Sequence, residues 1–251
     1  GGSLGTNLVA KATPDGYTLI FVSPSHAINV ALYKSLPFDP VADFEPITKV
    51  SNGSTYVLAI HPSLSANTVR EFIALANAKP GAINFASGGI GSTSHLAGEL
   101  FKNKARIDIV HVPYKGTGDA LRDLLVGQIH ATVDALPALL PHVNRGALRA
   151  LGVNIRTALL PDVPTIAESG VPDYEFFTWV GVLAPARTPR AVIRRLNVEI
   201  NEVLKLADVQ KRFNDMSARP AGSTPEEFAA LLKREIAKFV TIVKTAGIAT
   251  Q

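Results

Sequence analysis

The stretch that decides the fold runs from Ile83 to Phe101 and reads INFASGGIGSTSHLAGELF. Its apolar start predicts a strand ending at Ala86, its middle predicts a turn, and the residues from about Ser94 predict a helix. Three glycines in the turn let the backbone adopt positive φ and bring its N–H groups close to a ligand. The helix that follows adds unpaired donors and the positive end of its dipole. The pattern predicts an α/β fold with an anion-binding nest at the carboxyl end of a strand.

The chemistry of this loop favours a carboxylate over a nucleotide. A nucleotide phosphate loop needs a lysine before its Ser or Thr, but here Gly91 is followed directly by Ser92 and Thr93. The dinucleotide pattern also fails, because Ser94 stands where the third glycine belongs. The alternative is that the loop only caps the following helix and binds nothing.

Short β-rich runs alternate with helical patterns on both sides of this loop. Helix starts are marked by Thr68 with Glu71, by Thr188 with Pro189, and by Thr224 with Glu227. After Ala184 we expect only helices. Alternation of this kind predicts doubly wound, mostly parallel sheets covered by helices. The predicted strands are Tyr17–Val22, Thr55–Ile60, Ile83–Ala86, Ile109–Val112, Ile129–Val133, Leu148–Val153 and Trp179–Ala184.

Composition narrows the function classes. The chain has 251 residues, 47% of them hydrophobic, and a net charge of only +4. Its basic residues are spread along the chain and form no nucleic-acid-binding motif. It has no cysteine, which removes thiol catalysis, disulfides and thiolate metal sites. A slight positive charge suits a small anionic ligand.

Beyond these patterns, the sequence resembles a known family, the substrate receptors of tripartite tricarboxylate transporters (the Bug or TctC-like proteins of bacteria). The resemblance covers essentially the whole chain. The matching stretches are AKATPDGYTLIF (Ala10–Phe21), HAINVALYKSLPFDPVADFEPIT (His26–Thr48), SGGIGSTSHLAGELF (Ser87–Phe101), VHVPYKGTGDALRDLLVGQI (Val110–Ile129), LPDVPTIAESGVPDYE (Leu160–Glu175) and WVGVLAPARTP (Trp179–Pro189).

The resemblance implies a two-lobed periplasmic-binding-protein (Venus flytrap) fold. The first lobe would comprise residues 1–55 with 178–251, and the second residues 56–177. It also implies that about 45 to 50 residues, more than a signal peptide, are absent before Gly1, so that the first lobe lacks its first strand. By this resemblance the protein is a periplasmic, monomeric receptor. It would bind a mono-, di- or tricarboxylate in an interlobe cleft and deliver it to membrane permease subunits. No metal, cofactor or nucleic acid is expected to take part.

Candidate ligand-binding residues follow from the loop and from the resemblance. Ser87, Gly91, Ser92 and Thr93 match the family's carboxylate loop, and Gly88 and Gly89 belong to the same turn. His95 is predicted either to orient a ligand oxygen or to bond a backbone carbonyl. Asp134 is predicted either to accept a hydrogen bond from the ligand or to cap the next helix.

The other candidates lie at the ends of two further strands. Ser23 and His26 follow the first predicted strand, where turn chemistry is the alternative explanation for them. Phe177 and Trp179 lie at the second crossing between the lobes. There an aromatic side chain can pack on the ligand's carbon chain, or can simply belong to the core.

Two rival functions are a carboxylate-sensing effector module and an enzyme acting on organic acids. The sensor is expected to carry an attached DNA-binding helix pair, and residues 1–251 contain no pattern for one. Ser92 and His95 do not form a nucleophile–base pair, and no nucleophile elbow is present. We therefore predict no catalytic residues.

Overall fold

The computed structural model describes residues 2–245, in which helices and strands alternate along most of the chain. The strands are β1 (Ile20–Val22), β2 (Phe44–Ser54), β3 (Tyr56–Ile60), β4 (Asn84–Ser87), β5 (Val110–Pro113), β6 (Ala131–Ala135), β7 (Arg149–Val153), β8 (Val180–Pro185) and β9 (Ala218–Pro220). The helices are α1 (Ser3–Ala10), α2 (Pro24–Leu32), α3 (Val69–Ala78), α4 (Thr93–Ala105), α5 (Thr117–Leu125), α6 (Leu136–Asn144), α7 (Arg190–Val203), α8 (Ala207–Asp215) and α9 (Pro225–Thr245).

The chain forms two compact units. One is Ser54–Phe177, and the other combines Gly2–Gly53 with the described residues from Thr178 onward. Each unit has its own sheet, because β3 to β7 form a five-stranded sheet while β1, β2, β8 and β9 form a four-stranded sheet.

The five-stranded sheet has the order β5-β4-β6-β3-β7. Strand β4 pairs in parallel with β5 and β6, whereas β3 pairs antiparallel with β6 and β7. Every residue of β3 is buried, as its continuous apolar sequence predicts for a central strand. This sheet is therefore mixed, and the prediction of mostly parallel sheets holds only for its β5-β4-β6 part.

The four-stranded sheet has the order β1-β8-β2-β9, with β8 antiparallel to both β1 and β2. The long strand β2 is missing from the sequence prediction, because Pro46 and the polar, glycine-containing end around Asn52 obscure its pattern. Proline is tolerated there because the register shifts between Pro46 and Thr48. The expectation of helices alone after Ala184 is wrong, since the short strand β9 lies there.

The predicted helix starts are mostly confirmed. Thr68 Oγ1 accepts from the Glu71 amide at 3.1 Å, and Thr224 Oγ1 accepts from the Glu227 amide at 3.1 Å. Thr188 is not a cap, because its hydroxyl donates to the Pro185 carbonyl and Pro189 takes the N-cap position of α7. Within residues 2–245, no helix combines the length and apolar character needed to cross a bilayer.

Candidate functional site

The glycine-rich turn lies between β4 and α4, as the sequence predicts. Strand β4 ends at Ser87, and Ser92 is the N-cap of α4, where its hydroxyl accepts from the His95 amide at 3.1 Å. Gly89 and Gly91 have φ values of 117° and 76°, a region that side chains rarely adopt. The helix-cap role considered for this loop is therefore real for Ser92.

Four main-chain amides of the turn already have acceptors within the protein. Gly88 donates to Ser94 Oγ at 3.0 Å, Gly89 to Ser87 Oγ at 3.2 Å, and Gly91 to His95 Nδ1 at 3.4 Å. The Ser92 amide donates to the Gly89 carbonyl at 3.0 Å. The sequence predicts that these amides contact a ligand; in the structure they are bonded within the protein, and the ligand contact stays a prediction. Three of their acceptors are side chains, and the longest of these bonds, 3.4 Å, joins the Gly91 amide to an imidazole nitrogen.

Ser87 and His95 belong to a small network on one side of the turn. Ser87 is fully buried, and its hydroxyl lies 2.7 Å from Nε2 of His111 and 3.3 Å from the Gly89 carbonyl. The His95 and His111 rings stack with centroids 4.2 Å apart. Nδ1 of His95 accepts from the Gly91 amide, so the contact seen at this nitrogen is to a backbone amide rather than to a carbonyl, and the predicted role in orienting a ligand oxygen stays a prediction.

Burial keeps both imidazoles of this network neutral. It lowers the pKa of His95 to about 4. Burial, with the nearby charges of His95 and Lys102, lowers the pKa of His111 to about 3. Burial also raises the pKa of the Glu99 carboxyl, against the opposing effect of the Lys102 ammonium.

Asp134 supports the turn from the neighbouring strand β6. It is buried, and its Oδ2 accepts from the Thr117 hydroxyl at 2.9 Å while Oδ1 accepts from the Ala135 amide at 2.7 Å. Burial raises the pKa of Asp134, and hydrogen bonds from Ala135, Thr117 and Ser94 oppose that shift. Helix α6 receives no side-chain cap, so the predicted capping role of Asp134 is wrong. Its carboxylate instead links β6 to Thr117 of α5 and to Ser94 of α4.

Thr93, the first residue of α4, connects the end of the turn to strand β3. Thr93 is buried, and its side chain hydrogen-bonds to the buried Tyr56 of β3. Burial, and then the charge of Asp134, raise the pKa of Tyr56. Ser87 to His95 and Asp134 therefore come together within one unit, as hydroxyls, amides and neutral imidazoles beside a buried carboxyl.

The candidates Ser23 and His26 lie in the other unit, at the start of α2. The Ser23 hydroxyl lies 3.0 Å from that of Ser25. His26 is a core residue, with Nε2 at 2.8 Å from the Pro40 carbonyl and its ring packed against Phe38 and Phe44. Its Nδ1 is buried without a hydrogen-bond partner in the described part of the chain. This packing indicates that His26 is a core residue rather than a ligand contact.

The two aromatic candidates differ in exposure. Trp179 is buried against Phe228, and its indole N–H donates to Glu235 at 3.1 Å. It is thus a core residue, the alternative that the sequence left open. Phe177 is 56% exposed, so its ligand-binding role stays a prediction.

Sequence reasoning missed four polar residues of this region. These are Tyr56, Glu99, His111 and Thr117. For Glu99 a signal was present, because it follows His95 by one helical turn. Strand β5 pairs with β4 so that His111 lies opposite Phe85, a register that only the folded sheet reveals.

Solved structures with similar sequences share this fold. A Rhodopseudomonas palustris protein, Rpa4515 with adipate, superposes with a TM-score of 0.94 and is 36% identical, covering 100% of this chain and 84% of its own. The periplasmic binding protein BugD superposes with a TM-score of 0.93 and is 29% identical, covering 100% of this chain and 85% of BugD. MatC of Rhodopseudomonas palustris, with bound malate, superposes with a TM-score of 0.87 and is 30% identical, covering 96% of this chain and 84% of MatC. The predicted α/β periplasmic-binding-protein fold is confirmed.

Comparison of sequences agrees with the comparison of structures. The protein BugT of Bordetella pertussis is 36% identical over 251 residues, which are 98% of this chain and 77% of BugT. The family model described as "Tripartite tricarboxylate transporter family receptor" matches residues 1–248. The family and its structural neighbours are solute-binding receptors rather than enzymes. The predicted resemblance is confirmed: the chain belongs to the tripartite tricarboxylate transporter receptor family.

Proposed function

We propose that this protein is a periplasmic receptor that binds a small organic carboxylate and passes it to the permease subunits of a tripartite membrane transporter. The observation that carries the proposal is the match, at 36% identity and a TM-score of 0.94, to a receptor solved with adipate. A second receptor, solved with malate, is 30% identical. Periplasmic location is proposed by analogy with BugD.

The turn between β4 and α4 is our proposed carboxylate-binding element. The side-chain acceptors Ser87, Ser94 and His95 hold its glycine amides at 3.0 to 3.4 Å, in the positions where carboxylate oxygens would accept. Exchange of a neutral acceptor for a carboxylate yields shorter, charge-assisted hydrogen bonds. The N-terminus of α4 adds the positive end of a helix dipole. Binding would thus proceed by replacing internal partners of the turn.

The buried Asp134 limits where the ligand's charge can lie. Its carboxylate accepts hydrogen bonds from the Thr117 hydroxyl and the Ala135 amide, which hold it in place. A ligand carboxylate close to an ionised Asp134 would be repelled, whereas a ligand hydroxyl or amine would be attracted. We therefore expect the ligand to place its carboxylate toward α4 and any donor group toward Asp134.

A binding screen tests the proposal. Thermal unfolding is measured with adipate, malate, citrate and glutarate, and with adipamide as the uncharged control of equal chain length. We expect at least one acid to stabilise the protein, by about 2.7 kcal/mol at a concentration 100 times its Kd. Adipamide should have no effect. If no carboxylate in the panel stabilises the protein, or if adipamide equals adipate, the proposal is wrong.

A further inference from the structure

The two imidazoles beside the turn belong to a row of three aromatic rings. Phe85 of β4 lies opposite His111 of β5, and the centroids of their rings are 4.9 Å apart. The other neighbour of His111 is the ring of His95 on α4, at 4.2 Å. His95 is buried and His111 is half-buried. Packing between rings restricts rotation of each imidazole, so the nitrogens of both histidines point in defined directions.

The contact with Gly91 decides which nitrogen of His95 carries a hydrogen. A backbone amide can only donate, so Nδ1 of His95, at 3.4 Å from the Gly91 nitrogen, is an unprotonated acceptor. Burial lowers the pKa of His95 to about 4, which keeps the ring neutral at neutral pH. A neutral imidazole carries one hydrogen, and in His95 that hydrogen is therefore on Nε2.

The contact with Ser87 favours the opposite arrangement in His111. The Ser87 oxygen accepts from the Gly89 amide at 3.2 Å, and its single hydrogen can reach two acceptors. These are the Gly89 carbonyl at 3.3 Å and Nε2 of His111 at 2.7 Å. Only the shorter distance is normal for a hydroxyl donor. Because burial lowers the pKa of His111 to about 3, its ring is neutral as well, and its own hydrogen then lies on Nδ1.

These tautomers place one acceptor nitrogen of each histidine on the side of the turn. Nδ1 of His95 holds the Gly91 amide directly. Nε2 of His111 holds the Ser87 hydroxyl, whose oxygen holds the Gly89 amide. Both glycines have positive φ and no side chain that could restrict their backbone. The two imidazoles therefore supply a constraint that the glycines themselves lack.

We infer that His95 and His111 are positioning residues, which hold opposite neutral tautomers and so fix the Gly91 and Gly89 amides for a carboxylate. Neither imidazole has to touch the ligand. Amides that are oriented before binding lower the cost of ordering the site. The inference rests on the proposed function for the identity of the ligand. The tautomers and the hydrogen bonds, however, belong to the protein without ligand.

Nuclear magnetic resonance of nitrogen-labelled protein without ligand tests the tautomers. At neutral pH we expect the ring hydrogen on Nε2 of His95 and on Nδ1 of His111. Ser87→Ala should shift the resonances of His111 Nε2 and of the Gly89 amide, because both lose the shared hydroxyl. It should leave the Gly91 amide in place. The inference is overturned if both histidines hold the same tautomer, or if Ser87→Ala leaves the His111 resonance unchanged.

A double-mutant cycle, measured by calorimetric titration with adipate, separates positioning from a general loss of structure. His111→Phe keeps an aromatic ring in the row but removes both nitrogens. We expect it to weaken adipate binding about tenfold, as should Ser87→Ala, because the Gly89 amide is no longer held. The double variant should bind no more weakly than Ser87→Ala, since His111 acts through that hydroxyl. Losses that multiply in the double variant would overturn the inference.

The matched control is His61→Phe, which removes an imidazole from another histidine–serine pair. Nδ1 of His61 lies 2.8 Å from the Ser63 hydroxyl, outside the turn. This variant should keep the adipate Kd and the Gly89 amide resonance of the unmodified protein. A change as large as that in His111→Phe would count against the inference. If the unmodified protein binds no acid of the panel, the proposed function fails, and the resonances of the ligand-free protein alone decide the inference.

Discussion

At the scale of single residues, the polar groups at the turn between β4 and α4 come together in two ways. The glycines and hydroxyls of residues 87–94 are contiguous, so their proximity follows from one strand–turn–helix unit. His111 comes from another strand, and its contact with Ser87 depends on the pairing of β4 with β5. The sequence also could not show that side chains of the loop itself would satisfy its amides.

The buried histidine pair predicts a specific pH dependence of stability. The pKa values of His95 and His111 fall from 6.5 to about 4 and about 3 on folding, so the unfolded chain binds more protons between pH 6.5 and 4. Stability therefore decreases as the pH falls through that window. Urea unfolding of the wild-type protein and of His111→Gln is compared at pH 6.5 and 5, above the range where most carboxylates titrate.

The wild-type protein should lose more unfolding free energy over that interval than His111→Gln, because the variant lacks one of the two groups. The change in unfolding free energy between the two pH values is taken within each protein. The stability that His111→Gln loses with the Ser87 contact is therefore absent from the comparison. Equal losses in the two proteins would show that His111 is not held neutral by the fold.

At the scale of secondary-structure elements, prediction succeeded where a local rule applies. The capping boxes before α3 and α9 are local patterns, and the apolar runs of β3 and β8 identify strands. Strand β2 was missed because its pattern is broken by Pro46 and Asn52, and a bulge accommodates the proline. Strand β9 has only three residues and carries no pattern of its own.

The packing of α4 on β4 predicts opposite effects for two glycine substitutions in helices. A Cβ at Gly98 of α4 would lie 2.3 Å from the Phe85 ring, whereas a Cβ at Gly118 of α5 would meet nothing within 4 Å. Gly98→Ala should cost about 1 to 3 kcal/mol through overpacking. Gly118→Ala should stabilise the protein by about 0.5 kcal/mol through higher helix propensity.

Chemical denaturation of both variants measures these free energies. Because the substitution is the same in each, the intrinsic preference of alanine for a helix acts in the same direction. A stabilising Gly98→Ala would mean that the contact between α4 and the buried Phe85 is looser than the structure indicates.

At the scale of the whole molecule, the resemblance predicted the family and the fold. The specific ligand did not follow, because backbone amides and hydroxyls can hydrogen-bond to any carboxylate and so do not identify one acid. Trp179 and His26 illustrate the same limit. His26 lies just after β1 and Trp179 just before β8, at strand ends where a ligand contact is plausible, yet each packs against aromatic residues of a core.

The most direct test of the account is a calorimetric titration of two valine variants with the acid that stabilises the wild-type protein most. Gly91 and Gly146 have φ values of 76° and 74°, so valine strains the backbone equally at both positions. Only Gly91 lies in the turn between β4 and α4. Gly91→Val should abolish binding, whereas Gly146→Val should bind with wild-type affinity. Wild-type affinity in Gly91→Val, or equal loss in both variants, would contradict the account.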